Sequence, residues 1–275
     1  MVETTKQQHY FNPRELLALP IQRAAYSDRT AWLMAKLSNL AYILFEQNEK
    51  AKLEVILATA SFRLLDIFNG NSTQAYLAQG QYFNVLVFRG TEQNTADIKA
   101  DLNFNVYRTK KGRLHRGFIN AYNEVGDKLA KSVAQLDNKP LYITGHSLGG
   151  ALASIATSML ATDKIAACYT FGSPRVGNED FDANLKVPVY RVVNATDAVT
   201  RMPLLLMGYT HVGDLRYLTG DSRLLRNVST FRAFWILVTS ILRDVASPGN
   251  DHKVQNYINK LATIAKQRNT QLLNQ

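Results

Sequence analysis

The segment Gly145-His146-Ser147-Leu148-Gly149-Gly150 sets a serine between glycines two residues away on either side, the G-x-S-x-G spacing. The apolar run Leu141-Tyr142-Ile143-Thr144 precedes it and an alanine-rich stretch, Leu148 to Leu160, follows, so the serine falls on a predicted strand-to-helix turn. Such a turn cramps the backbone, and the glycines relieve side-chain clashes around it. The hydroxyl then projects outward, while the helix N-terminus behind it aims free N–H groups at any negative charge that develops there. This arrangement suits nucleophilic attack on a carbonyl by Ser147, with the backbone N–H of Leu148 as one donor to the resulting oxyanion. The competing reading is a Gly/Ser turn whose serine merely caps the next helix; the strand, turn and helix context disfavours it. His146 adjoins the serine, yet a sharp turn splays neighbouring side chains apart, so it reads as a packing or hydrogen-bonding residue.

A serine hydroxyl needs an imidazole to take its proton and a carboxylate to fix that imidazole's tautomer. Asp197 follows the strand-like run Pro188 to Val193 by a short loop, where an acid would reach the strand ends; Asp180, Asp182 and Asp214 are less well placed. Asp197 capping a turn is the structural alternative. His211 and His252 both follow the acid. His211 lies in the strand-like stretch Tyr209 to Leu215, where a structural histidine is expected, whereas His252 sits in a loop opened by Ser247-Pro248-Gly249-Asn250, just before a C-terminal helix. Spacing alone favours His252 only modestly. His9 and His115 precede the serine.

The elements that must position these groups begin with a helix from Ala31 to Leu44, apolar at helical spacing. Strand-like runs follow at Phe62 to Phe68, Gln74 to Ala78 and Tyr82 to Phe88, the first two joined by Asn69-Gly70-Asn71, a hairpin signal. Beyond them the pattern alternates: a helix over Phe118 to Leu136, a strand at Leu141 to Thr144, a helix over Leu148 to Leu160, then strands at Ile165 to Phe171 and Val187 to Val193. Alternation of this kind predicts an α/β fold, a mostly parallel central sheet with helices on both faces and antiparallel strands added at one side. Ligands of such sheets bind beyond the carboxyl ends of the strands, where each candidate residue falls.

A chain of 275 residues with no repeat and no Gly/Ser linker is expected to form one domain over residues 1–275. Its net charge of +10 raises nucleic acid or an anionic lipid surface as partners. Basic residues are scattered singly or in short groups such as Lys110-Lys111, which argues against nucleic acid. No apolar run reaches the roughly 18 residues of a membrane-spanning helix. Met1 to Pro13 is polar and has no signal-like apolar region, so residence in the cytoplasm and export by a signal already removed both stay open. The single cysteine, Cys168, sits in a strand-like run and allows no internal disulfide. No His/Cys/Asp cluster has metal-ligand spacing, and no cofactor is expected. Oligomeric state is unread.

The motifs in order resemble those of the class 3, fungal-type lipase family of the α/β-hydrolase superfamily. They are Val87-Phe88-Arg89-Gly90-Thr91, His115-Arg116-Gly117-Phe118, the Ser147 segment through Ala153, Thr170-Phe171-Gly172-Ser173-Pro174-Arg175-Val176-Gly177-Asn178, Asn194-Ala195-Thr196-Asp197-Ala198-Val199, and Asp251-His252 with Tyr257 after it. The likeness extends roughly from Ala25 to Tyr257. It implies the α/β-hydrolase fold, the chain order serine, acid, histidine for Ser147, Asp197 and His252, and Thr91 as a second oxyanion donor through its N–H and hydroxyl. It also implies hydrolysis of glycerolipid acyl esters through an acyl-enzyme on Ser147, with a lipid ester substrate held at a lipid–water interface. Phospholipase A1-type cleavage, acyl transfer by the same three residues, or an idle lipid-binding module are the alternatives.

The sequence departs from the family at the usual lid position, since Glu92 to Asp101 is polar and carries no tryptophan. A cap or acyl-pocket segment is expected instead within residues 200–250, where Pro203 to Met207 and Phe231 to Leu242 are unusually apolar. The second run, with Trp235 near its middle, reads first as buried core and next as an interfacial or acyl-pocket surface.

Overall fold

The computed structural model describes residues 25–42, 47–90, 105–160, 162–194, 197–203, 205–226 and 252–273. Thr91, His9, the polar 92–101 stretch and the Phe231 to Leu242 run lie outside them. Among the described residues eight strands form one sheet: β1 (Arg63–Asn69), β2 (Gln74–Gln79), β3 (Asn84–Phe88), β6 (Leu141–His146), β7 (Ile165–Phe171), β8 (Val189–Asn194), β9 (Asp214–Leu218) and β10 (Leu224–Arg226), in that spatial order. Strands β4 (Val106–Thr109) and β5 (Gly112–His115) form a separate hairpin. From β3 to β9 neighbours pair in parallel, while β1, β2 and β3 pair antiparallel, as the alternation and the hairpin signal imply. Strand β10 adds a short antiparallel edge on the far side.

The central strands are apolar on both faces because both are covered. Along β3, Val85 and Val87 join a core with helices α1 (Asp28–Leu40), α2 (Gln47–Thr59) and α7 (Val254–Leu273), whereas Leu86 and Phe88 join one with α3 (Arg116–Asn123), α4 (Gly126–Ala134) and α5 (Leu148–Met159). Strand β6 alternates likewise, Tyr142 to the first core and Leu141 and Ile143 to the second. A short helix α6 (Glu179–Ala183) covers part of the second face through Phe181. Cys168 is buried in β7. No helix among the described residues is long and apolar enough to cross a membrane.

The single helix expected over Phe118 to Leu136 is two. Glu124 ends the first by sending its carboxylate out of register to the β1–β2 turn, where it accepts from the Ser72 N–H at 2.8 Å, the Ser72 hydroxyl at 2.6 Å and the Thr73 N–H at 3.1 Å. Val125 leaves helical geometry and Gly126 restarts the chain as α4. The strand-like stretch from Tyr209 is also displaced: Thr210 makes an isolated bridge to Gly177, and regular pairing begins only at Asp214.

Candidate active site

The parallel strands bring the carboxyl ends of β3, β6, β7 and β8 to one rim. At the end of β6, Ser147 has φ 57° and ψ −129°, the left-handed region that a non-glycine residue adopts only when its surroundings hold it there. The surroundings are backbone. A β-carbon at Gly145 would lie 2.1 Å from the Gly149 carbonyl oxygen, and one at Gly149 would lie 2.4 Å from that of Phe88, so both positions require the absence of a side chain. The Ser147 N–H donates to the Phe171 carbonyl at 2.9 Å, tying the turn to β7. Its side chain makes no capping bond to α5. Instead Ser147 Oγ lies 2.8 Å from His252 Nε2.

His252 stands just ahead of α7, and its Nδ1 lies 2.9 Å from Asp197 Oδ2. A carboxylate only accepts, so in the neutral ring Nδ1 carries the hydrogen and Nε2 is left to accept from the serine hydroxyl. Asp197 is buried a short loop beyond β8. Its Oδ1 accepts from the Val199 N–H at 2.9 Å, and Oδ2 also accepts the Tyr257 hydroxyl at 2.6 Å. Tyr257 in turn accepts from the Asn194 N–H at 3.1 Å, which links α7 to the end of β8. The other aspartates weighed for this place are used elsewhere: Asp180 accepts from Asn178, Asp182 from the Gly213 N–H, and Asp214 is exposed beside Arg216.

His211 is not among the partners of Ser147. Burial, then Arg191 and Arg175, push its pKa down to about 2, so it is a poor proton acceptor at neutral pH. His115 caps α3, its Nδ1 accepting from the Phe118 N–H, and burial lowers its pKa to about 4. The expected oxyanion donor Leu148 opens α5, and its N–H meets no acceptor among the described residues. Gly149 packs against Phe88 and Arg89, which brings the serine turn up to the chain leading into Thr91. Sequence reasoning missed the contact of the Asn194 N–H and saw Tyr257 only as a family marker. The five-residue interval from His252 to Tyr257, about one helical turn and a half, was the available signal for a second contact to the acid.

Residues 85–207 match the model of the lipase (class 3) family. Over that stretch, somewhat under half of its length, the chain is similar to the class 3 lipases. Its fold is that of the α/β-hydrolase superfamily. The sequence is 41% identical over 116 residues to secreted mono- and diacylglycerol lipase 1 of Fusarium solani, covering 39% of this chain and 34% of that protein. It is 36% identical over 143 residues to a lipase of Rhizopus oryzae, covering 46% and 36%. The chain thus spans about a third of the length of these two curated relatives. Among solved structures it is similar to a triacylglycerol lipase whose catalytic centre is a serine-protease triad, with 25% identity, a TM-score of 0.60, and coverage of 73% of this chain and 84% of that one. It shares its fold with a mono- and diacylglycerol lipase from Aspergillus oryzae at 21% identity and a TM-score of 0.62, covering 73% and 86%.

Proposed function

We propose that this chain is a lipase of the class 3 type that hydrolyses acyl esters of glycerolipids, with Ser147 as nucleophile, His252 as general base and acid, and Asp197 as the group that orients the imidazole. The observation that carries the reading is the continuous hydrogen-bonded row from Ser147 Oγ through His252 to Asp197, at 2.8 and 2.9 Å, on a turn whose serine is relieved of any capping duty. In acylation His252 Nε2 takes the hydroxyl proton as Oγ bonds to the ester carbonyl carbon. The Leu148 N–H meets the oxyanion, and the family resemblance assigns Thr91 as the second donor. His252 then returns the proton to the departing alcohol, and the acyl group stays on Ser147. Water repeats the sequence in deacylation, releasing the fatty acid and restoring the hydroxyl.

The relatives' names support a lipid ester as substrate. An apolar contact surface within residues 200–250 is part of the same proposal: Leu206, in the 3-10 turn Leu205–Met207, is 98% exposed and Met207 beside it 42%, which offers apolar side chains to a lipid surface. The direct test is esterase activity on p-nitrophenyl butyrate and on emulsified glycerides. Ser147→Ala is expected to abolish both with the fold intact; retained activity would overturn the assignment. Thr91→Val keeps the backbone N–H and removes the hydroxyl, so kcat should fall by about 10² to 10³ with KM little changed. A change confined to KM would make Thr91 a substrate-positioning residue instead.

A further inference from the structure

The residue before the nucleophile has no part in the chemistry just described, yet it touches the base. His146 is buried, and its Nε2 lies 2.6 Å from the backbone carbonyl oxygen of His252. A carbonyl can only accept, so Nε2 carries the hydrogen. In the neutral ring Nδ1 is then bare, and it lies 2.6 Å from the hydroxyl of Tyr42, which donates to it. Burial first, and the neighbouring His252 second, hold the pKa of His146 well below its ordinary value, so the ring is neutral at neutral pH and its two hydrogen bonds select the tautomer. The rings of His146 and His252 lie 4.7 Å apart, inclined by 35°.

Tyr42 extends the chain of contacts to the other side of the site. It stands just past α1, and a β-carbon built on Gly90 would lie 2.4 Å from its hydroxyl and 2.5 Å from the His146 carbonyl. The Tyr42 hydroxyl therefore rests against the residue immediately before Thr91. Three segments meet here: the end of β3, the serine turn and the residue that leads into α7.

We infer that His146, with Tyr42 behind it, is a positioning residue that fixes the backbone of the base. The inference rests on the reading of Ser147 and His252 as nucleophile and base. The serine turn holds His252 by two consecutive residues, Ser147 at ring nitrogen Nε2 and His146 at the main-chain carbonyl. The Asp197 contact fixes how the imidazole turns; the His146 contact fixes where its Cα stands. Without the second tether the ring keeps its tautomer but not its distance from Oγ, and a displacement of about 1 Å at a reacting group costs on the order of 10² in rate.

The test compares His146→Leu, His146→Gln and Tyr42→Phe, reading kcat and KM on p-nitrophenyl butyrate, the rate of Ser147 labelling by a fluorophosphonate, and the melting temperature. Leucine fills the space without a donor, and kcat and the labelling rate should fall by about 10² with KM within about twofold. Glutamine can donate to the His252 carbonyl and accept from Tyr42, and should recover about tenfold of that loss. Tyr42→Phe should lower kcat several-fold at unchanged KM. Equal losses in the leucine and glutamine variants, tracking a common drop in melting temperature, would mean a merely structural histidine and overturn the inference. If His146→Leu does not fold, Tyr42→Phe decides: an unchanged kcat overturns it. Ser147→Ala, run in parallel, separates the two levels. An inactive Ser147→Ala beside a fully active His146→Leu removes only the positioning role, whereas an active Ser147→Ala removes the underlying reading as well.

Discussion

The two ends of the hydrogen-bonded row are held by different physics. Ser147 is held by its own neighbourhood: a left-handed backbone, glycines two residues away pressed against carbonyl oxygens, and a helix that starts at the next residue. His252 is held from far along the chain, by Asp197 at a separation of 55 residues and by Ser147 and His146 at 105 and 106. The first is written in contiguous residues, with β3 and β7 pressed against them once the sheet forms; the second has no local signature and exists only in the folded sheet. The glycines of the serine turn should therefore fail by loss of structure, and the histidine end by loss of chemistry.

Four changes probe that contrast. The largest effect is expected for His252→Ala, since members of such a row act as a unit: turnover should drop by about 10⁴ to 10⁶ with the melting temperature little altered. A large fall in stability would show that His252 also holds the fold. Gly149→Ala addresses the other end, for the new β-carbon would sit 2.4 Å from the Phe88 carbonyl oxygen and 2.9 Å from the carbonyl carbon of Arg89, neither able to yield. A destabilisation of about 3 kcal/mol or more is expected in chemical denaturation; a variant as stable as the parent would mean the turn is not backbone-locked.

His115 supplies a locally held histidine as a control, capping its own helix and stacked on Phe118 at 4.1 Å. Its pKa is about 4 in the folded chain against about 6.5 when unfolded. The unfolded state therefore takes up the proton first, so this contribution to stability is complete above pH 6.5 and is lost as pH falls toward 4. Between pH 7 and 4.5 the parent should lose about 2.5 kcal/mol more than His115→Asn, which can still cap the helix. Parallel losses in the two would remove the assignment. The smallest effect is expected for Tyr257→Phe, which takes one of the acceptor contacts from Asp197: about tenfold in kcat, corresponding to roughly 1.5 kcal/mol for a hydrogen bond to a carboxylate. No change in kcat would place Tyr257 in packing alone.

The same division governs how much the sequence discloses. The serine turn is legible because strand, glycines and helix are contiguous, and the parallel sheet is legible because its strands are short apolar runs between helical periods. Tyr42 is not, since nothing in its surroundings along the chain points to a partner 104 residues away. The break at Glu124 is hidden for the same reason: an ordinary helical glutamate acquires another role only when the Ser72 turn arrives beside it. Helix α2 has a polar, weakly periodic sequence, and the β4–β5 hairpin turns through Lys110-Lys111 without an Asn-Gly signal. Asp197 and His252 stand between these cases, ordered by the family pattern and brought together by the fold.

Strand β1, the outermost on its side among the described residues, bears on how the folded chain behaves when concentrated. Its pairing with β2 is interrupted by a bulge between Leu64 and Asp66. Asp66 turns one carboxylate oxygen to the Ile67 N–H at 2.8 Å and the other to the Ser132 hydroxyl at 2.6 Å, and Arg63 stands exposed at the strand's start. A strand from a second molecule approaching this edge would find a kinked ladder, one amide already taken and charges of both signs in its path. The edge is thus blunted against cross-β growth, and crowding of folded molecules at storage concentrations does not by itself seed fibrils from this side of the sheet.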